Sequence, residues 1–306
     1  MDVLVSIIVP TYKRHEEMVG RALKSLMSQT YKNIEIVLVD DNAKPELKEY
    51  REEISQLVDK LGDERIKLVQ NEQNLGGAGS RNAGAKIASG EYITFLDDDD
   101  MYLEEKVSNQ VSYMLKNGCD MCFTNLNLYN EKDEIVDVRT HDDIKSFDNE
   151  YLMKYHLTKQ ITGTPTFMLK KSLFDEIKGF EIVPMGQEYY LMYKIIKSGA
   201  KICYLNHCDI KAYRYDIEAI STGKNKIPGE RKLYKFKKSN FKVLSLKERR
   251  YARCRHYAVM GIAYKRNKNL FMCFLYLCLS VMVSPMNALN ESRNLKKRKN
   301  EVKRNG

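Results

Sequence analysis

Four consecutive aspartates, Asp97 to Asp100, directly follow the apolar pair Phe95-Leu96, and a second acidic pair, Asp40-Asp41, closes the run Ile34 to Val39. Hard carboxylate oxygens suit Mg²⁺ or Mn²⁺, and such a cation also binds diphosphate oxygens and offsets charge on a departing nucleotide. Carboxylates crowded together repel one another unless a cation joins them. An acidic turn that merely caps the next helix would have the same composition, because Asp favours helix starts; its place behind an apolar run favours the chemical reading. The segment Gly76-Gly-Ala-Gly79-Ser-Arg81-Asn82-Ala-Gly84 lets backbone approach an anion at a helix start, with Arg81 as a diphosphate or carboxylate contact. A tight loop packing helix against sheet would look alike. The segment is not G-x-G-x-x-G, and no Walker lysine motif occurs. Glu188 stands just after Pro184, in Gly186-Gln-Glu-Tyr-Tyr-Leu191. A carboxylate facing a cleft there could serve as general base, or only complement the helix dipole. The five histidines support no Ser-His-Asp or Cys-His pattern.

Such side chains need rigid elements to bring them together. Val3 to Val9, Ile34 to Val39, Ile66 to Val69 and Tyr92 to Leu96 read as buried strands, separated by helical patterns over 15–28, 46–60 and 78–88. This alternation predicts a largely parallel sheet covered on both faces. Ligands in such sheets sit beyond the carboxyl ends of the strands. Those ends are Pro10-Thr11-Tyr12, Asp40-Asp41-Asn42 and Asp97 to Asp100, so three elements deliver polar side chains to one rim. Further on, helices are expected over 103–117 and 186–198, and strands over 119–126, 134–139, 166–169 and 201–205. From about 228 the pattern is helical alone, over 228–240, 245–266 and 269–283.

In their order and spacing, Val5-Ser-Ile-Ile-Val-Pro-Thr-Tyr12, Glu35 to Asn42, Asn74 to Gly84 and Gly90 to Asp100 resemble glycosyltransferase family 2. Gly179-Phe180 and Gln187 to Leu191 resemble its acceptor-side segment, and the likeness spans about residues 3–215. The resemblance implies a GT-A fold: an α/β, Rossmann-like, mostly parallel central sheet with flanking helices, here with a C-terminal helical extension. It implies inverting transfer of a hexosyl or N-acetylhexosaminyl group from a nucleoside-diphosphate sugar, typically a UDP-sugar. By that analogy Thr11 and Asp41 contact the nucleobase with Pro10 and Tyr12 beside them, and Arg81, Asp97 and Asp98 line the donor. Asp99 is then the ligand of Mn²⁺ or Mg²⁺, with Asp97 nearer the ribose or the metal's water. Glu188 falls where many members carry Asp as catalytic base, which keeps a carboxylate but adds a methylene.

The charge is unevenly spread. Residues 1–223 hold 28 Lys and Arg against 37 Asp and Glu, whereas residues 224–306 hold 23 against 4. The chain therefore divides into a glycosyltransferase domain, 1–223, with donor half about 1–100 and acceptor half about 101–223, and a basic helical region, 224–306. The apolar run Leu270 to Val283 is 14 residues long and flanked by basic residues, shorter than the roughly 20 that a spanning helix needs. A helix in the membrane interface on anionic lipid, a helix packed in a bundle or homo-oligomer, and a short span are all compatible with it. Basic and aromatic residues interleave from Lys232 to Lys238, yet no nucleic-acid module is recognisable, and a solvated or lipid-facing helix surface is the better reading. Seven scattered cysteines, read as ordinary buried thiols, and the lack of a signal peptide pattern point to a reducing setting. The expectation is a cytoplasmic enzyme peripheral to the inner face of the cell membrane, adding sugar to a glycan or lipid-linked acceptor in surface polysaccharide assembly. A nucleotidyltransferase and an inactive nucleotide-sugar-binding membrane adaptor are the rival readings.

Overall fold

The computed structural model describes residues 2–161, 163–215, 226–293 and 302. Strand β1 (Val5–Thr11) is buried at all but one position and β2 (Ile34–Asp40) at every one, which is why both read as unbroken apolar runs. Around them lie α1 (Glu16–Met27), α2 (Lys48–Leu61), β3 (Ile66–Gln70), α3 (Gly76–Ile87) and β4 (Tyr92–Phe95). The middle of the chain forms β5 (Met101–Tyr102), α4 (Lys106–Asn117), β6 (Met121–Thr124), β7 (Leu126–Tyr129), β8 (Ile135–Arg139), α5 (Asn149–Lys159), β9 (Met168–Lys170) and α6 (Lys171–Glu176). Then come α7 (Gln187–Lys197), β10 (Ile202–Leu205), β11 (Ile210–Tyr213), α8 (Lys226–Ser239), α9 (Leu246–Arg266), α10 (Leu270–Val283) and α11 (Pro285–Arg293).

Seven strands make the main sheet in the order β10-β6-β9-β4-β1-β2-β3. All pairs in it are parallel except those of β9, which runs antiparallel between β4 and β6. Alternate residues of β1 face opposite layers, as the period of a strand requires. Val5, Ile7 and Val9 pack with α1, α2 and α4 through Leu23, Leu26, Ile54 and Val111. Ile8 packs with α3, α6 and α7 through Ala85, Phe174 and Leu191. The mostly parallel α/β architecture with C-terminal helices is thus observed. A smaller sheet has the order β5-β11-β7-β8; β8 answers the strand expected over 134–139, whereas β5, β7 and β11, two to four residues each, carry too little periodicity to be seen in the sequence.

The C-terminal helices pack on the acceptor half. Leu233 of α8 joins Tyr189 and Tyr190 of α7 in one buried cluster, and Ala252 of α9 joins Leu157 of α5, Phe241 and Leu244. Arg255 of α9 donates to the carbonyls of Lys159 (2.7 Å) and Thr158 at the end of α5. α9 and α10 form a hairpin closed where Leu277 approaches Gly261 and where Ser280 donates to the Cys254 carbonyl at 2.9 Å. The other side of α10 is open: Phe271 is 76% and Phe274 70% exposed, with Leu270, Val281 and Met282 beside them. Among the described residues no single helix is long and apolar enough to cross a membrane; α10 and α11 together pass the test of length and composition but are bent by 117°. The boundary expected at 223/224 and most of the basic end, Arg293 to Arg304, lie outside the described residues.

One expectation is corrected. Cys119 and Cys203 form a disulfide, with Cα atoms 6.1 Å apart, because the parallel pairing of β6 with β10 brings the end of α4 beside β10. The other cysteines are free, with Cys122, Cys254 and Cys273 buried. Cysteine usage therefore gives no support to a reducing setting.

Candidate active site

The ends of β1, β2 and β4 meet at one rim, as parallel neighbours must. Thr11 is buried there, while Tyr12 is 37% exposed and Pro10 is partly accessible. The Asp41 amide donates to the Thr11 carbonyl at 3.0 Å, which ties the first two ends together. Asp41 is buried and accepts four hydrogen bonds: from Asn71 Nδ2 (2.7 Å), Asn74 Nδ2 (3.0 Å) and the amides of Leu75 and Gly76 (2.8 Å each). Its carboxylate has about four acceptor sites, so it holds the loop that starts α3. Two of these donors are amides at the helix start, where a negative charge is stabilised.

Asp40 acts on the other side of the same turn. It accepts from the amide and side chain of Asn42 at 2.9 and 2.8 Å. The Asn42 carbonyl oxygen in turn accepts the Lys13 amide at 2.8 Å. Lys13 sits at φ 53°, a left-handed conformation uncommon for a residue with a side chain. The strained turn delivers Arg14 to the aspartates, its Nη2 2.8 Å from Asp99 and its Nε 3.3 Å from Asp98. Arg21 of α1 donates to the Asp99 carbonyl and to the Tyr215 hydroxyl, both at 2.6 Å. Asp97 pairs with Arg81, whose other arm donates to Gln187 at 3.1 Å. Asp100 turns inward and accepts the Tyr213 amide at 2.8 Å.

Burial and mutual repulsion make negative charge costly at this rim. Burial, followed by the charges of Asp97 and Asp98, pushes the Asp99 carboxyl up to about 7. Burial also raises Asp98, against the opposing pull of Arg14 and the nearby Thr11 hydroxyl. Among the described residues no group of three or more His, Cys, Asp or Glu is arranged to hold a metal ion. A divalent cation at this rim would meet isolated carboxylates, Asp99 and Asp97, and would need phosphate and water to complete its shell. That donor set and the excess negative charge fit Mg²⁺ or Mn²⁺, which use one or two carboxylates beside substrate phosphates.

Glu188 opens α7 just after Gly186, whose φ of 78° turns the chain into the helix. It forms no ion pair among the described residues. Burial raises its pKa most, and Asp97 raises it further, while the Glu188 amide, Arg81 and Arg139 pull it down. The Arg81–Gln187 hydrogen bond thus ties the first turn of α7, which carries Glu188, to the Arg81–Asp97 pair. Of the residues singled out from the sequence, Pro10, Thr11, Tyr12, Asp41 and Asp97 to Asp99 lie at or next to the ends of β1, β2 and β4, Arg81 pairs with Asp97, and Glu188 stands in the first turn of α7. Arg14, Arg21, Asn71, Asn74 and Tyr213 were missed; a surplus of carboxylates at one rim was the signal that nearby arginines had to answer it.

Residues 6–178 match the family described as glycosyl transferase family 2. Over 235 residues the chain is 31% identical to the UDP-Glc:alpha-D-GlcNAc-diphosphoundecaprenol beta-1,3-glucosyltransferase WfgD of Escherichia coli, covering 74% of this chain and 81% of that one. It is 38% identical over 133 residues to WfaP of the same species, which bears the same activity name, covering 44% and 49% of the two chains. The structure of S. aureus TarS 1–349 in complex with UDP-GlcNAc superposes with a TM-score of 0.57 at 18% identity, covering 88% of this chain and 89% of that chain. The last likeness is one of fold.

Proposed function

The chain belongs to glycosyl transferase family 2 and is a glycosyltransferase, and from that premise we propose that it transfers a sugar from a UDP-sugar to a hydroxyl of a lipid-linked glycan in surface polysaccharide assembly. The observation that carries this reading is the rim where the ends of β1, β2 and β4 gather Thr11, Asp41 and Asp97 to Asp99, with Arg81 linking Asp97 to Gln187, the neighbour of Glu188 in the first turn of α7. The E. coli relatives are named for a glucosyl transfer to GlcNAc-diphosphoundecaprenol, and TarS holds UDP-GlcNAc; both support the choice of donor and acceptor class.

Glu188 takes the proton of the acceptor hydroxyl as its oxygen attacks the anomeric carbon. The bond from that carbon to the diphosphate breaks on the opposite face, so one displacement inverts the configuration and no enzyme nucleophile is needed. Arg81 lies where it can bind the departing diphosphate, and Pro10, Thr11 and Tyr12 line the rim beside it for the base. Asp99 and Asp97 would hold Mn²⁺ or Mg²⁺, which supplies positive charge against the growing charge of the leaving group. Asp41, with its acceptor sites taken, shapes the donor loop. The exposed apolar side of α10, with Lys265, Arg266 and Lys268 at its start, supports docking on an anionic membrane surface, where a lipid-linked acceptor resides.

Calorimetric titration with UDP, GDP, CDP and ADP, each with Mn²⁺ and with chelator, tests the donor half of this reading. The expected result is metal-dependent binding of UDP alone, abolished by Asp99→Ala. A folded protein that binds none of the four would leave the adaptor reading in its place.

A further inference from the structure

Arg14 already occupies carboxylate oxygens that a metal would need. Its guanidinium bridges Asp98 and Asp99, and the Asp99 oxygen it contacts belongs to the residue best suited to bind a divalent cation. The arginine does not reach there by chance of a loose loop. It follows Lys13, which is held left-handed at φ 53° by the Asn42 carbonyl, itself oriented by Asp40. Two side chains, Asp40 and Asn42, and one strained residue, Lys13, therefore present Arg14 to the acidic rim. A guanidinium so placed would also meet a nucleotide diphosphate bound at that rim, since it pairs with phosphate as readily as with carboxylate.

We propose that Arg14 is a placeholder cation: it neutralises Asp99 in the empty enzyme and yields that carboxylate to the metal only when a nucleotide diphosphate arrives to take the arginine. Metal capture is thereby made conditional on the donor. By linkage, the nucleotide must raise metal affinity by the same factor as the metal raises nucleotide affinity. This rests on the assignment of the rim as a nucleotide-sugar site. Arg14 is a positioning residue on this account.

The test is titration of free Mn²⁺ by electron paramagnetic resonance with wild type, Arg14→Gln and Arg14→Lys, each with and without UDP, alongside thermal melts to show folding. The wild type should bind Mn²⁺ weakly alone and much more tightly with UDP. Arg14→Gln should bind Mn²⁺ alone about tenfold more tightly, the worth of roughly one partly buried ion pair, and the enhancement by UDP should shrink accordingly. Arg14→Lys, keeping the charge but losing the two-armed contact, should fall between. Mn²⁺ affinity in Arg14→Gln equal to or below that of the wild type, or an undiminished UDP enhancement, would overturn the placeholder role while leaving the transferase reading intact; if Arg14→Gln fails to fold, an Arg14→Lys that matches the wild type in both readings overturns it equally. A wild type that binds neither UDP nor Mn²⁺ would remove the site assignment and this inference with it.

Discussion

At the scale of single residues, the same side-chain type does different work according to what surrounds it. Asp41 is buried and saturated by four donors, whereas Glu188 is partly buried, has no ion-pair partner among the described residues, and has its pKa raised chiefly by loss of solvent. A base acts in its ionised form, so activity falls as pH drops through the Glu188 pKa. Because that pKa is raised, the acid limb of kcat/KM should lie above the range of an ordinary glutamate. Glu188→Gln should abolish that limb and lower kcat by about 10²–10⁴-fold while UDP binding persists. Unchanged turnover in Glu188→Gln would remove it as base. The resemblance assigned Asp41 to the nucleobase and Glu188 to the base, but the sequence could not show that Asp41 is saturated by its own loop. Which carboxylate is saturated depends on where Asn71, Asn74 and the amides of Leu75 and Gly76 fold back, and no spacing records that.

At the scale of elements, the donor half was readable because its strands are covered on both faces. Val5 to Val9 and Ile34 to Val39 announce themselves by unbroken apolar character, and parallel order then fixes which ends share a rim. β9 escaped that logic: Met168 to Lys170 is only three residues long and runs against its neighbours, and strand direction leaves no mark in composition. Helix α3 rests on the sheet at Gly84, where an added Cβ would come within 2.6 Å of Ile8 Cγ2 and 2.9 Å of Val39 Cγ2. Gly84→Ala should push α3 off the sheet and cost about 1–3 kcal/mol of stability, as overpacking does. The same shift moves Arg81, which lies on this helix, so UDP affinity should fall as well. Chemical denaturation with parallel calorimetry would check both; an unchanged midpoint would mean that the helix yields without strain.

At the scale of the whole molecule, the acidic front and basic back seen in the sequence become two surfaces of one packed body. The C-terminal helices are fastened to α5 and α7 through Leu157, Tyr189 and Tyr190, while the open side of α10 has no partner among the described residues. Flotation with vesicles of phosphatidylglycerol and phosphatidylcholine should carry the wild type upward at low salt. Phe271→Ser with Phe274→Ser should reduce that partition by about tenfold or more, given the apolar area lost, without changing UDP binding. Retained flotation in the double variant, or a change from dimer to monomer in its place, would identify α10 as a subunit contact.

The fastening of α9 to α5 also has a metric consequence. Arg255 grips the last carbonyls of α5, and α8 lies against the very helix that begins with Glu188. A surface bound by α10 would thus stand at a height and tilt from Glu188 set by these contacts. Such an enzyme would act as a ruler, accepting hydroxyls at one distance from the lipid and passing over the same sugar placed one residue nearer or farther along a growing chain.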